Sequence, residues 1–289
     1  MSIATARREE LTAPLTTPQL RTRRHPGRWV SGIVLVLIVG FVLNGLISNP
    51  RLEWGQVWGY LFDVHILSGL GVTLALAVVA EIVALALGMV IGFCRVSRNP
   101  VAKTAAAVYV WLFRGIPLIV LVLLVGNIAL FIPEVRIGIP FTDVEFFSAS
   151  TNALVSTFVA GVIALSLHDA AYNAEIYRSG IISVPDGQRL AAQALGLTWW
   201  QTQLRVVLPQ ALPVMIPPAM SQFVTLLKST AMVSVIAVGD LLTEAQHISA
   251  LNQYVIELLF VATIWYLVAV SVASVLSRLL DSKSEKLRH

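Results

Sequence analysis

The chain has 289 residues, 57% of them hydrophobic and 12% charged, with a formal charge of +4 and a mean hydropathy of +0.80. A soluble domain carries about 25% charged residues, so this composition is that of a polytopic membrane protein. Its single cysteine, Cys94, excludes an intramolecular disulfide. No GxxxxGKS/T, HExxH or CxxC pattern occurs, which leaves no phosphate-binding loop, zinc-protease helix or dithiol.

Residues 1–28 are polar, with Arg7, Arg8, Arg21, Arg23, Arg24, Arg28 and three prolines, and read as a disordered basic tail. Trp29 to Ser48 is uncharged and of membrane-spanning length. A basic segment before an apolar run also fits a signal peptide. This run is longer than a usual apolar signal core and has no small-x-small cleavage site, so an uncleaved first span over 29–48 is expected. A polar segment, 49–65, leads to a second run, Ile66 to Cys94, interrupted only by Glu81. It exceeds the minimum spanning length and is expected to tilt or project beyond the bilayer. Arg95, Arg98 and Lys103 follow in a short loop with Pro100.

The third run, Thr104 to Phe131, contains Arg114-Gly115-Ile116-Pro117, and a polar loop over 132–151 separates it from the fourth. The fourth span, from near Asn152 to about Ile176, turns polar at His168, Asp169 and Asn173. Next comes the longest interval between apolar spans, Ile182 to Pro209. Pro185-Asp186-Gly187 reads as a turn opening a helix, which spans Arg189 to Leu195 and stops at Gly196, where the left-handed region is open only to glycine. Thr198 is expected to cap a second short helix that ends at Leu208-Pro209. The fifth span, Ala211 to Val238, is expected to be broken near its start by Pro213, Pro217 and Pro218. Residues 239–254 read as a short loop, the sixth span as roughly Ile256 to Ser277, and a basic tail closes the chain over 281–289.

Charge placement orients these spans. The N-terminal tail holds six Lys and Arg, the 95–103 loop three, the long interval three with Arg178 counted at its head, and the C-terminal tail four with Arg278 counted at its head. The other side holds Arg51 and Arg136, and Arg114 and Lys228 lie within spans. Sixteen against two puts both termini and the long interval in the cytoplasm. The expected fold is an all-α bundle of six transmembrane helices with one cytosolic helix-turn-helix.

Leu190-Ala191-Ala192, Gly196 and Val206-Val207-Leu208-Pro209 match, at the same spacing, a signature of Glu-Ala-Ala, three residues, Gly, nine residues and Ile-x-Leu-Pro. With Ala171-Tyr172-Asn173-Ala174-Glu175-Ile176-Tyr177-Arg178 before it, Leu226-Leu227-Lys228-Ser229-Thr230 after it and Phe113-Arg114-Gly115-Ile116-Pro117 upstream, the chain resembles the permease subunits of ATP-binding-cassette importers of the polar amino acid type. The resemblance covers about 66–280 and implies a five-span permease core, to which Trp29–Ser48 looks like an addition. It implies a coupling loop over 182–209 whose Gly187, Arg189, Leu190, Ala191, Ala192 and Gly196 meet a separate ATPase. That ATPase would hold ATP and Mg, leaving this chain without a cofactor. An extracytoplasmic solute-binding protein, a second permease subunit (a copy or a paralogue) and membrane lipid complete the implied partners, with no nucleic acid. Two positions depart from the pattern: Leu190 stands where the family has Glu, and Ser229 where an acidic or amide residue follows the lysine.

Polar residues within the spans are candidates for the substrate path, because an ionisable group there costs about 2.5–3.5 kcal/mol and lines a polar route or finds a partner. Arg114 suits an α-carboxylate, which a guanidinium binds bidentately; the alternative is a structural pair with a carboxylate. Asp169 and Asn173 share a helical face, and Asp169 suits an amino or cationic group. His168 points about a quarter-turn away, packed or lining the pore. Ser221, Gln222, Thr225, Lys228 and Ser229 form a stripe at helical spacing, with Gln222 and Thr225 as path residues and Lys228 either a partner for Glu175 or a residue near the cytosolic gate. Thr73 bonds either a ligand or its own helix, and Glu81 is expected to pair within the bundle. No metal site or catalytic constellation is expected. An ion-coupled secondary transporter, or a scaffold or channel subunit, are the competing classes, but neither needs a patterned cytosolic helix-turn-helix.

Overall fold

The computed structural model describes residues 26–138 and 145–286 and divides into two units, residues 1–52 and 53–289. The expected basic tail over 1–25 lies outside the described residues. In the first unit, α1 (Pro26–Ile47) holds an 18-residue window, Val30–Ile47, long and apolar enough to cross a membrane.

The second unit is a helical bundle. Short α2 (Trp54–Tyr60) precedes α3 (Val64–Val96), whose N-terminus is capped by Asp63 accepting from the His65 N–H at 2.8 Å. At about 1.5 Å per residue, the 33 residues of α3 cover about 50 Å, well beyond a hydrocarbon layer of about 30 Å. The third apolar run is not one helix. Pro117 has no N–H and holds Ile116 extended (φ −79°, ψ 127°), so α4 (Pro100–Gly115) and α5 (Leu118–Gly126) meet at a bend of 99°. The polar loop expected over 132–151 contains an antiparallel pair, β1 (Glu134–Gly138) and β2 (Glu145–Ser150), in register Glu134 to Ser150 through Ile137 to Phe147. Arg136 ties it to Glu134 at 2.7 Å and to Glu145 at 3.2 Å.

After the single turn α6 (Thr151–Leu154) comes α7 (Thr157–Ser183), the helix against which α3 packs. Lipid tails are as apolar as leucine, so apolarity alone does not hold two helices together inside a membrane; close backbone approach does. Small residues supply it on both sides. Ala77, Ala80, Ala84, Gly88 and Gly92 occupy one buried face of α3, and Ala160, Ala164, Ala170 and Ala174 one buried face of α7. A Cβ on Gly88 would stand 2.7 Å from the Asn173 Cβ and 3.1 Å from the Ala170 carbonyl oxygen. Ser166 donates across the seam to the Ala80 carbonyl at 3.1 Å, and Tyr109 of α4 donates to the Leu167 carbonyl at 2.8 Å. Gly88→Leu forces this seam apart, at an expected cost of about 1–3 kcal/mol or more. The measurement is thermal aggregation in detergent, whose midpoint drops by several degrees, whereas Gly71→Leu, at a position with open space around it, leaves it in place.

The second half of the long interval departs most from expectation. α8 (Asp186–Ala194) starts three residues earlier than read, taking in Asp186 and Gly187, and α9 (Trp199–Thr202) follows the Thr198 cap, but Pro209 does not end the second helix. A π-helical turn over Gln203–Val207 carries α9 directly into α10 (Leu208–Ser229). Within it the Leu208 N–H reaches back five residues to the Gln203 carbonyl, and the widened turn admits a proline that has no N–H of its own. Nor do Pro213, Pro217 and Pro218 break α10, which runs through all three; transmembrane helices tolerate proline where neighbours and local turns re-satisfy the backbone. A 3-10 turn, Thr230–Ile236, follows. The stretch read as a loop over 239–254 is α11 (Leu241–Asn252), its N-terminus capped by Asp240 accepting from the Leu242 N–H at 3.2 Å. α12 (Val255–Lys286) ends the described chain.

Among the described residues, four helices are long and apolar enough to span, Val30–Ile47, Val64–Val96, Trp199–Ile236 and Val255–Ser282, and the bent pair α4–α5 adds a fifth if the two halves are taken as one span. The expected fourth span, α7, is 27 residues long but outside that set. His168, Asp169, Asn173, Glu175 and Arg178 make its second half polar, a composition tolerable at membrane depth because Asp169 and Asn173 turn into the protein.

Candidate functional site: a polar cluster in the bundle and an exposed helix

Three helices bring a polar cluster together. Asn173 of α7 donates one amide group to both Glu81 of α3, at 3.3 Å, and Asp169, at 3.2 Å. Gln222 of α10 donates to the other Asp169 oxygen at 2.6 Å. Asp169 and Asn173 are 1% and 0% exposed, so both lie behind Gln222, which is half-buried. Glu81 thus pairs within the bundle, as expected, but with a carboxamide and not a cation. Its Oε2 and the Asn173 Oδ1 are buried with no hydrogen-bond partner among the described residues.

Arg114 sits at the end of α4, one residue before the break in the third run. It is exposed and makes no ion pair among the described residues. Its guanidinium lies over the ring of Tyr172 on α7, 4.9 Å from the centroid, and Tyr172 meets the His168 ring at 5.1 Å. Tyr172 had no part in the sequence-derived path; its four-residue spacing from His168 was the available signal. The other path candidates fare differently. The Thr73 hydroxyl is fully engaged, donating to the Gly69 carbonyl and accepting from the Leu241 N–H, both at 3.0 Å. Thr225 is exposed and donates to the Ser221 carbonyl on its own helix at 3.1 Å. Lys228 does not pair with Glu175, which is taken by Arg95 at 3.0 Å and Arg178 at 2.7 Å.

Away from the cluster, α8 projects an apolar face. The helix ends in a Schellman closure: Leu197 N–H bonds Ala192 O at 3.1 Å and Gly196 N–H bonds Gln193 O at 2.9 Å, with Gly196 at φ +77°. Thr198 and Gln201 then form a reciprocal capping box that starts α9. Ala192 is 3% exposed and faces the protein. Gly187, Leu190 and Ala194 lie on the opposite side by helical geometry, and Leu190 and Leu195 are 64% and 82% exposed. Leu195, absent from the sequence-derived docking set, is the most exposed large apolar side chain of the helix-turn. Arg189 turns inward, bonding Asp186 at 2.8 Å and the Ile181 carbonyl.

Among the described residues, a helical bundle thus encloses a polar cluster and carries a closed helix with exposed leucines. The chain belongs to the family described as binding-protein-dependent transport system inner membrane component, whose pattern matches residues 84–286. It is 34% identical over 264 residues to an arginine transport system permease protein of Corynebacterium glutamicum, covering 91% of this chain and 82% of that one. It is 32% identical to an arginine transport system permease protein of Bacillus subtilis, over 75% of this chain and 91% of the other. The glutamine transport system permease protein of Escherichia coli is 28% identical, over 81% and 98%. Among solved structures, a crystal structure of an amino acid ABC transporter with histidines is 30% identical at TM-score 0.67, covering 81% of this chain and 99% of that one. The fold is that of the ABC importer permeases, and the protein is a multi-pass inner-membrane transport component, not an enzyme. Membership implies a solute-binding protein and an ATPase as partners.

Proposed function

We propose that this chain forms the translocation path for a cationic amino acid, with both termini cytoplasmic, and that α8 couples it to a separate ATPase. Supporting the substrate class are relatives named for arginine and two carboxylates, Glu81 and Asp169, with no cation among their hydrogen-bond partners in the described residues. The observation that carries the reading is Arg114: an exposed guanidinium at a span break, stacked on Tyr172 and free of any carboxylate partner among the described residues. It is placed to take an α-carboxylate. Asp169, one layer behind Gln222, then takes the cationic end once the Gln222 amide swings away. Thr73, with both its hydrogen bonds made, and Thr225, bonded to its own helix, act in packing and not as ligands.

On the docking side, Gly187, Leu190, Ala191, Ala194 and Leu195 form the surface offered to the ATPase. Ala192 and Arg189 brace the helix from within, and Gly196 sets its end. A second permease subunit, copy or paralogue, completes the assembly. The test is uptake of labelled arginine into proteoliposomes holding the complex with its binding protein outside. Uptake should require ATP at the ATPase and be indifferent to collapse of the proton and sodium gradients. Uptake that continues without ATP and stops with the gradients would overturn the reading in favour of an ion-coupled carrier.

A further inference from the structure

The end of the bundle that carries α8 holds a basic basin that the transport reading leaves unused. Arg95, Arg98, Lys103, Arg178 and Arg189 line a cavity of about 440 Å³. Its acidic counterweight is small. Glu175 is shared between Arg95 and Arg178, and the Asp186 side chain that meets Arg189 is 86% exposed. Arg98 and Lys103 are exposed and make no ion pair among the described residues. On residues lining the same basin, Arg189 Nε, Thr202 Oγ1 and Gln203 Oε1 are buried with no hydrogen-bond partner among the described residues. The basin therefore presents cationic donors and, beside them, a free acceptor.

Two apolar clefts share residues with it. One, of about 550 Å³, has Arg98 and Trp199 in common with the basin and is walled by Val90, Phe93, Ala102 and Trp200. The other, of about 400 Å³, shares Arg95 and Lys103 and runs along Ala107, Val108 and Trp111. Both lie where α3 ends and α4 begins, and tryptophan with arginine and lysine is the composition of a membrane interface. A soluble anion would satisfy the basin but has no use for either cleft. An apolar protein segment would fill a cleft but not neutralise the cations.

We propose that this basin and its clefts bind one anionic phospholipid. The phosphate takes N–H donors from Arg98, Lys103 and Arg189, a headgroup hydroxyl donates to Gln203 Oε1, and an acyl chain lies along Phe93 and Trp200. Basic pockets between membrane helices attract anionic headgroups, and Arg and Lys reach the phosphate plane while their stems stay in apolar surroundings. The site is separate from the substrate cluster, and it stands whether or not α8 meets an ATPase.

Native mass spectrometry of the full chain in detergent tests it, with dioleoyl phosphatidylglycerol and dioleoyl phosphatidylcholine as probes. One phosphatidylglycerol per chain should survive activation that strips phosphatidylcholine. Arg98→Gln with Lys103→Gln, both exposed positions, should weaken its retention by about tenfold or more with the elution profile unchanged. Arg278→Gln, an exposed cation outside the basin, should leave it intact. Equal retention of the two lipids overturns the proposal, as does equal loss in Arg278→Gln, or retention in the double variant. Displacement by glycerol 3-phosphate at the concentration where the lipid itself saturates would assign the basin to a soluble phosphate and overturn it too.

Discussion

Leu190→Asp combined with Leu195→Asp is expected to abolish ATP-driven uptake while the chain still folds and inserts. Both side chains are mostly exposed, at 64% and 82%, so neither contributes core packing that the substitution would remove. Their value is realised only against a partner. Central apolar anchors of an interface contribute about 2 kcal/mol each, and two lost together weaken association by roughly a thousandfold. An aspartate pressed into an apolar groove adds the cost of burying an unpaired charge. The check is recovery of the ATPase on the tagged permease, alongside an unchanged elution profile of the permease alone. Because Leu190 stands where the family pattern has Glu, the contact should also resist salt. At 1 M ionic strength the screening length is about 3 Å, and an interface resting on charge pairs would fall apart there. Full recovery by the double variant would remove α8 as the coupling surface, and loss of wild-type recovery in high salt would remove its apolar character.

What was legible in the sequence, and what was not, follows from the range of the forces involved. The α8 turn was readable because its determinants are local: Gly196 in the left-handed region and the Thr198 cap act within five residues. The helical bundle itself was readable from apolar run lengths. The third run was not, since hydropathy is blind to direction and Pro117 turns an apolar stretch through 99° without changing its composition. Pro209 misled in the opposite sense. A proline ends an isolated helix, but a five-residue π turn just before it keeps the chain helical, and nothing in single-residue propensity announces that turn. α11 was hidden because its stretch is too polar for a span and too short to show a period, yet Asp240 caps it firmly. The same limit governs the site. Asp169 and Asn173 were found by four-residue spacing, whereas Glu81 and Gln222 joined them only once α3 and α10 were packed on α7. Which face of α8 looks outward was likewise a tertiary fact: Ala191 and Ala192 are adjacent and identical, and only packing distinguishes the exposed one from the buried one.

Arg114 carries the second large expected effect. With the guanidinium removed in Arg114→Ala, the α-carboxylate loses a charge-assisted bidentate contact made at membrane depth. Hydrogen bonds to charged groups are worth about 1.5–3 kcal/mol, so kcat/KM for arginine uptake should fall about tenfold to a hundredfold. ATPase recovery should stay normal, which separates this defect from a docking failure. Arg114→Lys should not restore transport: an ammonium keeps the charge but loses both the planar fork and the stacking on Tyr172. Tyr172 divides the two contributions further. Tyr172→Phe keeps a ring under the guanidinium and should retain most activity, while Tyr172→Ala removes a cation–π contact worth about 0.5–2 kcal/mol and frees Arg114 to move. Three rates measured side by side, Ala at 114, Lys at 114 and Ala at 172, then order the effects. If Lys at 114 proves as active as arginine, the group acts as a fixed positive charge and not as a carboxylate clamp. If Ala at 114 transports normally, the substrate passes by another route.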